Sequence, residues 1–65
     1  MPPQRLRTVI RRLMGDMTQA ELAKKANVTE SYISQLLQGK RQNPSLAILK
    51  RLARALGVPV GELLE

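Results

Sequence analysis

Residues 18–39 read TQAELAKKANVTESYISQLLQG, and this stretch decides the fold. Thr18-Gln19-Ala20-Glu21 has the pattern of a capping box, in which the Thr18 hydroxyl accepts from the amide of Glu21 and the Glu21 carboxylate reaches back to the amide of Thr18. A helix is therefore predicted from about Gln19 to Ala26, burying Leu22, Ala23 and Ala26; small residues there let another helix approach closely. Asn27 tolerates the left-handed backbone that a tight turn needs. Val28 is expected as a buried plug in that turn, and Thr29 is a good N-cap for a further helix from about Glu30 to Gln38. Ile33 and Leu36 point inward at i and i+3, and Gly39 terminates. Two short helices joined by a tight turn result.

The pattern stays helical on both sides of this unit. From Gln4 to Met14 the apolar residues Leu6, Val9, Ile10 and Leu13 recur at i, i+3, i+4 and i+7, with Arg5, Arg7, Arg11 and Arg12 flanking or opposing them. Those arginines are expected on a solvated face. Pro2 and Pro3 suit the segment at or before the first turn, and Gly15-Asp16 ends the helix. Downstream, Lys40-Arg41-Gln42-Asn43 reads as a polar loop, and Pro44 is expected at the opening of a fourth helix running to about Leu56. Leu46, Leu49, Ala53 and Leu56 fall on one stripe with Leu52 beside it, while Lys50, Arg51 and Arg54 stay wet. Gly57 closes that helix, and Val58-Pro59-Val60 leads to a short terminal helix whose Leu63 and Leu64 cover the core or form a dimer seam. No alternating strand pattern, repeat or linker is found. The expectation is an all-α, five-helix domain spanning residues 1–65, with the two-helix unit at about 18–38.

Composition limits the chemistry. The 65 residues include no Cys, His or Trp, which removes disulfides, thiol catalysis, Ser-His chemistry and the usual zinc sites. The five carboxylates, Asp16, Glu21, Glu30, Glu62 and Glu65, are scattered along the chain. An enzyme is not expected, nor a catalytic, metal or cofactor site, nor a small-molecule ligand. Eleven Lys and Arg against five acids give a net charge of +6, which favours a polyanionic partner. No apolar run approaches the roughly 18–20 residues of a membrane span. The start Met1-Pro2-Pro3-Gln4-Arg5 lacks an apolar signal core, so a cytoplasmic protein is expected. A membrane-surface role fits poorly, because interfacial helices favour Trp, Phe and Leu.

The helix predicted at Glu30–Gln38 exposes Glu30, Ser31, Ser34, Gln35 and Gln38, with Thr29 at its start. These are short hydrogen-bonding groups with one formal charge, while Lys24, Lys25, Lys40 and Arg41 lie on either side in sequence. A polar edge flanked by cations is the arrangement expected where phosphates supply affinity and base edges supply specificity. It is how a helix-turn-helix lays its second helix in the major groove.

Three motifs now carry a family resemblance: Met17-Thr18-Gln19-Ala20-Glu21-Leu22-Ala23, Tyr32-Ile33-Ser34-Gln35-Leu36…Gly39, and Pro44-Ser45-Leu46…Leu49…Leu52-Ala53…Ala55-Leu56-Gly57-Val58. In this order, over roughly Leu6 to Leu64, the chain resembles the lambda-repressor/Cro-like (XRE-type) helix-turn-helix family. The resemblance implies a transcriptional regulator, in most cases a repressor, bound to a double-stranded DNA operator as a homodimer on an inverted repeat. It implies that Thr29, Glu30, Ser31, Ser34 and Gln35 read or approach bases. Gln35 could pair with adenine, and Glu30 either accepts from cytosine or serves only as a helix-end charge. It further implies that Gln19, Tyr32, Gln38, Lys40 and Arg41 contact the sugar-phosphate backbone. One departure stands out: many members carry Glu where this chain has Leu37, paired with an Arg matching Arg12. That pair cannot form here, which leaves Arg12 to reach phosphate and Leu37, if exposed, to mark a protein contact. The alternative function is an antitoxin-like or adaptor module binding a protein through Leu37 and the terminal helix.

Overall fold

In the computed structural model, which describes residues 4–41 and 44–64, helix ends are set by the side chains that the sequence places there. The order is α1 (Gln4–Met14), α2 (Gln19–Ala26), α3 (Glu30–Leu37), α4 (Leu46–Leu56) and α5 (Gly61–Leu64). At the start of α2, Thr18 Oγ1 accepts from the Glu21 amide at 3.1 Å and the Thr18 amide donates to Glu21 Oε1 at 2.8 Å. Thr29 and Ser45 cap α3 and α4 in the simpler one-way form, accepting from the Tyr32 and Ile48 amides at 3.0 and 3.2 Å. Asn27 closes α2 with φ 59°, the left-handed conformation its short polar side chain tolerates. Past α2 and α4 the chain folds back identically: the Val28 and Val58 amides donate to the Ala23 and Ala53 carbonyls, each at 3.0 Å. An apolar residue at this position packs back under its own helix, as this type of helix ending favours.

The helices enclose a small core. Ile10, Leu22, Ile33, Leu36 and Leu52 are its largest fully buried side chains, drawn from α1, α2, α3 and α4. Each contributes about 1.5–3 kcal/mol by leaving water. The α2 helix packs on both α3 and α4, α1 packs on α3 and α5, and α4 meets α5. Among the described residues no polar or charged side chain is buried.

Several expectations need correction. Gln38 is the cap that ends α3 rather than a residue inside it. Pro44 lies outside α4, because Ser45 takes the N-cap and Leu46 becomes the first helical residue. Leu46 consequently sits at the rim, 53% exposed, instead of in the stripe with Leu49 and Ala53. Of the final leucines, Leu63 is buried and Leu64 is 57% exposed, since four helical residues turn only one of the pair inward. Val28 is half-buried, a lid on the turn rather than a plug within it. Pro2, Pro3, Gln42 and Asn43 lie outside the described residues.

Leu36→Ala should destabilise the fold by about 2–5 kcal/mol, the range for a fully buried leucine. Leu64→Ala should stay within about 0.5 kcal/mol. Urea unfolding followed by circular dichroism separates the two, and equal effects would contradict the core described here.

Candidate nucleic-acid interface

The α3 helix divides sharply between two environments. Ile33, Leu36 and Leu37 are buried, whereas Glu30, Ser31 and Gln38 are exposed and Tyr32, Ser34 and Gln35 are half-buried. Thr29 is exposed at its start, and Lys24, Lys25, Lys40 and Arg41 are exposed around it. An α-helix with its side chains is about 10–12 Å across, which matches the width of the DNA major groove. Leu37, anticipated as a possible protein contact, is only 2% exposed and belongs to the core. Leu37 therefore extends the apolar floor under α3.

Two arginines of α1 reach the far end of this helix. Arg11 Nη2 donates to the Leu37 carbonyl at 3.1 Å. A carbonyl in the last turn of a helix lacks an intrahelical partner and carries the negative end of the helix dipole, so a guanidinium suits it on both counts. One turn earlier in α1, Arg7 lies over Gly39: a Cβ built on that glycine would sit 3.0 Å from Arg7 Nη1. The expectation of a merely solvated arginine face thus fails for Arg7, which is half-buried, while Arg11 is exposed as expected but also bonds to α3. Their i, i+4 spacing beside the core residue Ile10 was the available signal. Arg12 is exposed.

The side chains expected to touch DNA partly engage one another. Gln38 Nε2 donates to Ser34 Oγ at 3.0 Å, an i, i+4 pair along the outer face. Arg41 Nε donates to Gln35 Oε1 at 2.8 Å, and its guanidinium carbon lies 4.9 Å from the centre of the Tyr32 ring. The turn at Gly39 (φ 81°) makes this return possible, with the Lys40 amide on the Gln35 carbonyl at 2.9 Å. Gln35, Tyr32 and Arg41 therefore form one cluster, while Glu30 and Ser31 lie at the opposite end of the helix.

Gln19 is half-buried at the start of α2, beside an open cavity of about 320 Å³. Arg11 and Thr18 share its rim, and Met14, Met17 and Leu37 help to line it. The capping box occupies the Thr18 and Glu21 amides, so the Gln19 and Ala20 amides remain as the donors of the first turn. With Arg11 near by, this corner suits an anionic oxygen. Among the described residues no group of three His, Cys, Asp or Glu side chains is placed to hold a metal ion, and no helix is long and apolar enough to cross a membrane.

This geometry, with two short helices at a capped turn and the second turning a polar side outward, defines a helix-turn-helix. A helix-turn-helix family model matches residues 10–63, most of the chain, and the chain belongs to that family in its lambda-repressor/Cro-like (XRE-type) branch. The immunity repressor protein of Bacillus phage phi105 is 46% identical over 44 residues, covering 68% of this chain and 30% of that protein. The chain thus corresponds to under a third of the length of the relative it matches.

Gly39→Ala should cost at least about 1–2 kcal/mol, because an L side chain is strained at this left-handed φ and its Cβ would also press on the Arg7 guanidinium. Gly61→Ala, where a Cβ meets nothing within 4 Å and φ is not positive, should change stability by no more than about 0.5 kcal/mol. Comparing the two by urea denaturation tests whether the turn after α3 is held by its backbone. Equal stabilities would mean that it is not.

Proposed function

We propose that this chain binds double-stranded DNA sequence-specifically, with α3 in the major groove, and represses transcription by occluding a promoter. The observation that carries the reading is the division of α3: its apolar side is committed to the core, its outer side offers short hydrogen-bonding groups, and cations flank it. Thr29, Glu30, Ser31, Ser34 and Gln35 then approach base edges. Gln19, with the first-turn amides of α2, takes a phosphate, and Tyr32, Gln38, Lys40 and Arg41 follow the backbone. The chain acts as a homodimer on an inverted repeat in the cytoplasm, its half-site centres about 34 Å apart. The family membership and the resemblance to a phage immunity repressor support this reading. The adaptor alternative loses one of its two contacts, since Leu37 is inside the core.

Contacts with about 6–10 phosphates make affinity fall with salt at a log–log slope of about −0.9 per phosphate. Gln35→Ala should cost about 1–3 kcal/mol on the best site and little on random DNA. Lys40→Ala should weaken all duplexes nearly alike and reduce the salt slope by about one. Selection from a random duplex library at physiological salt, followed by titration of the enriched site, measures these effects. An enriched inverted repeat supports the proposal, and binding with no sequence preference sinks it.

A further inference from the structure

The cluster at the end of α3 bears on which base Gln35 selects. Arginine Nε is a donor only, so the Gln35 atom 2.8 Å from it must be the amide oxygen. The chemistry of the partner therefore fixes the amide's polarity. Stacking over the Tyr32 ring holds the guanidinium, and the backbone turn holds the residue, with the Arg41 amide 3.4 Å from the Gln35 carbonyl. Tyr32 and Gln35 are three residues apart and share a face of α3, so one planar cation spans both.

Adenine recognition by glutamine needs both ends of the amide: the oxygen accepts from N6 while the nitrogen donates to N7. Arg41 takes one of the two lone pairs of that oxygen and sets a cation beside it, which disfavours the approach of a second donor such as adenine N6. The end better placed to face a base is therefore the NH₂ group, a donor. Beside it, Arg41 brings a fork of five N–H donors, of which the bond to Gln35 uses one. Guanine presents two acceptors side by side in the major groove, N7 and O6. The geometry points to Arg41 as a specificity-determining residue that turns Gln35 from an adenine reader into part of a paired donor for guanine. This inference rests on the proposed DNA reading and deepens it. It gives Arg41 a part in sequence choice beyond the attraction of one more cation to phosphate.

The test is selection from a random duplex library, at one fixed salt concentration, by the full chain, Arg41→Met and Gln35→Ala, with circular dichroism confirming that each is folded. Arg41 is exposed, and methionine keeps a side chain able to lie against Tyr32. Gln35→Ala identifies the base position concerned as the one whose preference it flattens. At that position the parent protein should select guanine, and Arg41→Met should lower the guanine-to-adenine ratio by about tenfold or more. Adenine selected by the parent overturns the inference. So does an Arg41→Met variant that weakens every duplex alike with its base preference intact, since that makes Arg41 a phosphate anchor alone. A flat selection by the parent overturns the underlying DNA reading and this inference with it, which distinguishes the two failures.

Discussion

Everything on the outer surface of α3 depends on how completely its inner surface is used. Ile33, Leu36 and Leu37 are buried from an eight-residue helix, and they meet Ile10, Leu22 and Leu52 in a core with no buried polar group among the described residues. In so small a protein this one apolar cluster must offset most of the conformational entropy lost on folding. Rotating α3 about its axis would expose one of these side chains and bury Ser31, Ser34 or Gln35 without partners. Both changes cost free energy, so the core fixes which residues face outward.

Rotation is not the only freedom that has to be removed. The tilt and extent of α3 are settled at its two ends by different means. Thr29 caps the start from within the turn, whereas the end is held from outside, by Arg11 on the Leu37 carbonyl, with Arg7 lying over Gly39 just beyond it. The helix α1 thus does more than close the core. Arg11 takes a backbone carbonyl that a helix terminus offers in any case, and the side chain of the same residue, Leu37, is given to the core.

Much of this was legible in the residues. The capping box at Thr18, the cap at Thr29, the left-handed turn at Asn27 and the alternation of faces along α1 to α4 all follow from local chemistry, and the structure follows them closely. The misplaced residues lie where local pattern gives out. Leu46 matches the stripe of α4 by spacing, yet it occupies the first helical turn, where no partner helix covers it. Leu64 stays exposed for a different reason: the four residues of α5 turn only Leu63 of the pair inward. For Arg7 and Arg11 the sequence offered only their i, i+4 spacing beside Ile10, because their neighbours are a carbonyl of α3 and the glycine of the turn after it, and residue types in sequence do not announce a tertiary contact. The cluster of Tyr32, Gln35 and Arg41 was hidden too, since it requires the chain to double back through Gly39.

The turn at Gly39 joins the two halves of the problem. On its inner side it lies under Arg7, and on its outer side it returns Lys40 and Arg41 to the Gln35 carbonyl. A helix ending of this kind usually places an apolar residue at the position Lys40 occupies, as with the half-buried Val28 and Val58 after α2 and α4. Here that position is cationic and exposed, so this ending stabilises the core less than the other two. What it places instead is charge, next to the polar face of α3. The charges are also separable from the fold: folding rests on apolar burial, which salt does not screen, while attraction to a polyanion rests on exposed cations, which salt screens strongly. A domain assembled in this way can release its polyanionic partner as ionic strength rises and remain folded, because the interactions that fail are not those that hold α3 in place.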